Sequence, residues 1–245
     1  MRRIIFMVLV ISMLFSLILS KPAIASEPIG NQTIANDLLT VLKDRNNKLI
    51  DYLKTSSNTD IIAAIDIFTK KYPIVTYKYN QQIKNFHDES LVRTATINGE
   101  TTVTFNSDGG FVVDKLTSRP IANPTGKVTA MAAQYKWAAN DRIRYNTFGV
   151  WMYHIHIESN FGYDGTKAWY AGGLWGFYER NFLSIWQVSN WEVGTTVING
   201  GEYCRAYARG NFHFGIEYQG VGLIIEDAYE DVRVSVTRDG TVYRN

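Results

Sequence analysis

The hydrophobic period of this chain changes once, near residue 74, and that change restricts the fold more than any other feature. Before it, Ile34, Leu38, Val41, Leu42, Leu49 and Leu53 return at helical spacing, and Ile61, Ile62, Ile65 and Phe68 form a second stripe. Ser56-Ser57-Asn58-Thr59 separates the two stripes, and Pro73 ends the second. The spacing predicts a helical hairpin over 33–72 whose apolar stripes must cover another surface. From Ile74 the period is two: Val75, Tyr77 and Tyr79 alternate with Thr76 and Lys78.

The remainder reads as strands and tight turns. Asn98-Gly99 between β-branched runs predicts a hairpin over 92–105. Ser107-Asp108-Gly109-Gly110 is the next turn, into a strand over 111–116. Pro120, Asn123, Pro124 and Gly126 make 117–126 an exposed linker in this reading. Beyond it, Asp164-Gly165, Asn199-Gly200-Gly201 and Asp239-Gly240 separate alternating runs at 149–161, 166–171, 182–189, 202–209, 211–219 and 231–237. The predicted fold is mainly β. A C-terminal antiparallel β-sandwich or β-barrel over 127–245 follows a small α+β region over 26–116, which could be a removable pro-region.

The first 25 residues carry an address. Arg2 and Arg3 precede an apolar run from Ile4 to Leu19, and Ala23-Ile24-Ala25 closes the segment. This is the pattern of a secretory signal peptide cut after Ala25, and it points to a secreted, extracellular and bacterial protein. Cleavage removes Arg2, Arg3 and Lys21 and no acid, leaving 22 basic and 23 acidic side chains. Such a balance gives no long-range field toward nucleic acid. Cys204 is the one cysteine, so no internal disulfide is available and packing must hold the fold.

Aromatic residues supply the candidate ligand contacts. All six tryptophans fall between 137 and 191, and Trp175, Phe177 and Tyr178 stand among Gly172, Gly173 and Gly176. Glycine at this density predicts a loop between two sheet strands, with Trp175 and Tyr178 exposed together as stacking faces and Arg180 on the rim. Tyr203, Arg205, Tyr207 and Arg209 alternate ring and cation along one strand face. That row either grips an anionic or sugar ligand or forms a solvated cation–π ladder, with the ladder favoured. Cys204, Ala206 and Ala208 form the opposite row, small enough for close sheet packing and suited to an inert thiol.

His154, His156 and Glu158 share one strand face, while Trp151, Tyr153, Ile155 and Ile157 share the other, which reads as buried. Imidazoles two residues apart can converge on a divalent metal. His154-x-His156 and Gly210-x-x-His213 resemble parts of the two metal motifs of the cupin family, a β-barrel group. The resemblance implies a divalent ion held by His154, His156 and His213. Glu158 stands closer to the histidines than the family's carboxylate, and Ala208 replaces the proline of the second motif.

No Gly-x-Ser-x-Gly, His-Glu-x-x-His or phosphate-loop pattern occurs, and scattered glutamates do not identify a glycosidase. The expectation is therefore a non-enzymatic module, without cofactor, that recognises an extracellular ligand or cell-envelope component, with carbohydrate among the candidates. A metal-dependent or glycosidic enzyme and a membrane-active toxin built on the alternating strands 149–161 and 202–219 are the alternatives.

Overall fold

The computed structural model describes residues 29–56, 60–74, 86–124, 133–181, 186–218 and 221–244. The segment read as a signal peptide and the alternating run from Val75 to Tyr79 lie outside the described residues. Among the described residues, two helices come first, α1 (Ile29–Thr55) and α2 (Ile61–Lys71). Asp60 starts α2 by accepting from the amides of Ile62 and Ala63 at 2.9 and 3.2 Å. Among the described residues, no helix is long and apolar enough to cross a membrane.

Eleven strands follow among the described residues, in two antiparallel sheets: β1 (Arg93–Thr96), β2 (Thr101–Phe105), β3 (Phe111–Ile121), β4 (Gln134–Tyr145), β5 (Trp151–Tyr163), β6 (Ala168–Tyr170), β7 (Trp175–Arg180), β8 (Trp186–Ile198), β9 (Tyr203–Tyr218), β10 (Val221–Thr237) and β11 (Val242–Tyr243). The larger sheet runs β1-β2-β3-β4-β5-β6, with β7 also paired to β5; the smaller runs β11-β10-β9-β8. The Asn98-Gly99 turn forms as expected, with the Asn98 side chain accepting from the amides of Glu100 and Thr101.

The two sheets pack face to face. Tyr153, Ile155, Ile157 and Phe161 of β5 meet Cys204, Ala206, Ala208 and Phe212 of β9 and Val232, Val234 and Val236 of β10, all buried. The long alternating strands thus turn their apolar rows toward each other. Glycine at 176 suits this seam, because a Cβ there would lie 3.0 Å from Val193. The helices cover part of the opposite, outer face of the larger sheet. Leu49, Leu53, Ile65 and Phe68 pack on Val103, Phe105, Phe111, Val113, Ile143 and Tyr145. Buried Arg45 fastens this layer by donating to the carbonyls of Tyr72, Thr147 and Phe148, and burial lowers its pKa to about 10. Gly149 completes the turn at φ +79, where an added Cβ would strike Arg45 and Thr69 at 2.6 Å.

Two expectations are corrected here. The linker read over 117–126 is strand as far as Ile121, paired from Thr117↔Ala139 to Ile121↔Tyr135. Pro120 fits because β2 ends its pairing at Lys115, so the missing amide hydrogen costs no bond on that side. The larger sheet therefore draws strands from both sides of the expected boundary. The runs read at 202–209 and 211–219 also join, over Tyr203–Tyr218, in the one strand β9, with Gly210 inside it beneath the Trp191 ring.

A polar network ties the sheets together beside the apolar core. Arg142 reaches Asp114 at 2.8 Å and Glu230 at 3.1 Å, and the Tyr153 hydroxyl donates to Glu230 at 2.6 Å. Burial works against the Arg142 charge, but the two carboxylates more than offset it and hold its pKa above the ordinary value. Removing the cation leaves two carboxylates facing each other with little solvent. Arg142→Ala is expected to lower unfolding free energy by about 3–5 kcal/mol in urea denaturation. A loss under about 1 kcal/mol would mean that water already screens the network.

Candidate functional site

The outer face of the larger sheet passes from apolar to polar where the helical layer stops. On β4, Ile143 and Tyr145 lie under the helices, and Asp141 is the next residue along that face. Register sets Asp141 opposite His156, Ile143 opposite His154 and Ala139 opposite Glu158. On the other edge of β5, Glu179, Phe177 and Trp175 of β7 stand opposite His154, His156 and Glu158. Adjacent strands thus place two imidazoles, three carboxylates and two large rings on one face.

Hydrogen bonds organise the patch around one carboxylate oxygen. His154 Nε2 and His156 Nδ1 each lie 2.8 Å from Asp141 Oδ1, and His156 Nε2 lies 3.2 Å from Glu158 Oε2. Burial disfavours the Asp141 charge, but the two imidazoles more than offset it, holding its carboxyl well below the usual range. Burial likewise disfavours His156 as a cation, yet Asp141 and Glu158 together raise its pKa above the ordinary value. Phe177 lies nearly parallel to the His156 ring at 5.1 Å and edge-on to His154 at 5.5 Å. Trp175 is 5.4 Å from His156 and 4.8 Å from Phe177, and 55% of its surface is exposed.

The aromatic expectations divide by face. Residues 175–180 form strand β7, not a loop, because the glycines serve other needs. Gly172 and Gly173 occupy the preceding turn at φ +99 and +66, and Gly176 makes room for Val193. Trp175 and Phe177 consequently point outward with the histidines. Tyr178 points the other way, between Trp191 at 4.8 Å and Phe212 at 5.9 Å, so Trp175 and Tyr178 are not exposed together. Arg180 donates to the Trp186 carbonyl.

The remaining candidates lie on the smaller sheet. Arg209 sits 4.8 Å over Tyr207 and bonds Glu192, and Arg205 sits 5.4 Å over Tyr203 and bonds Ser235. This is the geometry of the cation–π ladder. Cys204 is fully buried in the seam, and burial pushes its thiol up to about 11. His213 lies on the outer face of the smaller sheet, 2.6 Å from Ser189 and 3.1 Å from Asp227. Both sheets separate it from His154 and His156, so the three histidines named by the cupin resemblance do not converge.

Asp141 takes the place His213 was expected to fill, and the sequence reading missed it. Its signal was the Asn146–Val150 turn, closed by Asn146 N to Val150 O at 3.0 Å. Pairing residues outward from that turn, with one bulge at Arg144/Tyr145, brings Asp141 to His156. Comparison with known protein families, characterised proteins and solved structures finds no match for this chain.

The two faces of β7 predict different costs. Tyr178→Ala is expected to lower stability by about 2–4 kcal/mol, as for other buried-ring truncations, while Trp175→Ala costs less than about 1 kcal/mol. Thermal or urea unfolding of both variants measures the contrast, and equal losses would contradict the assignment of faces.

Proposed function

We propose that this chain is an exported recognition module that binds a polar cell-envelope ligand, of carbohydrate class, on the outer face of its larger sheet. The observation that carries the reading is Trp175, more than half exposed beside Phe177 and the rim carboxylate Glu158. A large ring left in water costs solvation, and one flanked by hydrogen-bonding groups suits a ligand with one apolar face and a polar edge. A sugar ring has that form. The surface is broad and lies on paired strands, which favours holding a ligand in one orientation.

Export rests on the amino-terminal pattern of Arg2-Arg3, the apolar run and Ala23-Ile24-Ala25. The secreted form is expected to begin at Ser26, read by amino-terminal sequencing of culture supernatant. Full-length chain held in the membrane fraction would overturn the secreted reading.

Binding is tested by retention of the protein on purified cell-wall and polysaccharide fractions. Trp175→Ala is expected to weaken retention by about 1–3 kcal/mol, roughly five- to 150-fold, the size of an aromatic anchor in an interface. Its melting temperature should stay within a few degrees of the native protein. Retention equal to native, or failure of the native protein to bind any fraction, would refute the contact surface.

A further inference from the structure

The recognition reading uses the rings of the outer patch and leaves the chemistry of its donors unassigned. We propose that Asp141, His154 and His156 hold a divalent transition-metal ion, with Glu158 orienting the His156 ring. Asp141, His154 and His156 each offer one ligand atom within 4.8 Å of the other two, and His154 Nε2 and His156 Nδ1 both lie 2.8 Å from Asp141 Oδ1. Ligands bonded to one ion at about 2.0–2.2 Å stand roughly 3.3–4.4 Å apart, so small side-chain rotations bring these atoms to an ion. Two imidazole nitrogens aimed at a single carboxylate oxygen present the same atoms to a cation once their protons leave.

Charge favours the same occupant. With both imidazoles neutral, Asp141 and Glu158 leave two negative charges on a patch that is mostly withdrawn from water. A divalent ion cancels them. The flanking strands do not alter this balance, because register places Lys115 opposite Asp141 and Glu179 opposite His154, one charge of each sign. Imidazole with carboxylate suits zinc, manganese, iron or nickel, and three protein donors leave a position open toward solvent.

The surroundings hold the donors in place. With His156 Nδ1 on the ion, its Nε2–H donates to Glu158 across 3.2 Å, the outer contact that fixes a ligand's tautomer and ring orientation. Phe177 packs against both imidazoles. The three donors stand on two neighbouring paired strands, which position side chains more tightly than loops do.

The test titrates the full chain, chelator-treated and dialysed, with zinc, manganese and nickel chlorides in a calorimeter. One ion per chain is expected. His154→Ala and Asp141→Asn should each weaken binding roughly hundredfold or more, since three donors are needed. Glu158→Gln should weaken it about tenfold, and His213→Ala should leave it unchanged. Because a substituted site can also misfold, melting is followed in parallel. Saturating zinc should raise the melting temperature of the native and His213→Ala proteins, but not of His154→Ala. No binding of any of the three ions by the native protein overturns the proposal. Binding unchanged in His154→Ala, or lost in His213→Ala, does so too. Retention on wall fractions is measured after chelation as well as before, so failure of the metal site and failure of the recognition reading are told apart.

Discussion

The close approach of the two sheets governs this structure. On β9 the inward row is small, with Cys204, Ala206 and Ala208 in succession, while β5 across the seam supplies Tyr153, Ile155 and Ile157. Small against large lets the backbones draw together without voids, and interiors at crystal-like density punish either gaps or overfilling. The seam also dictates polar choices at its margin. Arg142, Asp114 and Glu230 enter the same interface and meet as a closed ionic group, because an unpaired charge there would oppose folding.

That packing leaves the outer faces free to differ. The larger sheet gives part of its outer face to the helices, fastened through Arg45, and another part to a polar and aromatic patch. The strand β5 serves both sides at once. From Tyr153 to Phe161 its odd residues face the seam and its even residues the outer side, so burial of Ile155 and Ile157 determines where His154, His156 and Glu158 stand. A shift of β5 by one residue would expose the core row and bury the imidazoles, so the apolar core enforces the register of the site.

How much of this was legible in the sequence depends on range. The helical hairpin, the Asn98-Gly99 turn and the two-faced row of β5 from Tyr153 onward are local patterns that formed as the spacing predicts; Trp151, expected in the buried row, is turned to the helical layer by the bulge beside Tyr145. Strand β4 was not legible, because both of its faces are mixed: Asn140 and Arg142 face the seam, while Tyr135 and Ile143 are buried on the other side. Without β4 there was no neighbour to bring Asp141 to the histidines. The glycines at 172, 173 and 176 misled for a related reason. Two satisfy positive φ in a turn, and one satisfies a neighbour from the other sheet, which no local pattern encodes. His213 shares a strand type with His154 but points away from the opposite outer face, a difference set by topology alone.

Cys204 has a consequence of its own. A thiol reagent needs the thiolate and a path to it, and this sulfur has neither while the seam is closed, since burial raises its pKa and excludes the reagent. Modification must wait for the sheets to part. With one cysteine in the chain there is no second thiol to confuse the signal. At low reagent the labelling rate reports the equilibrium fraction of opened sandwich, and at high reagent it reports the opening rate itself. The molecule thus carries a native clock for the breathing of its own core.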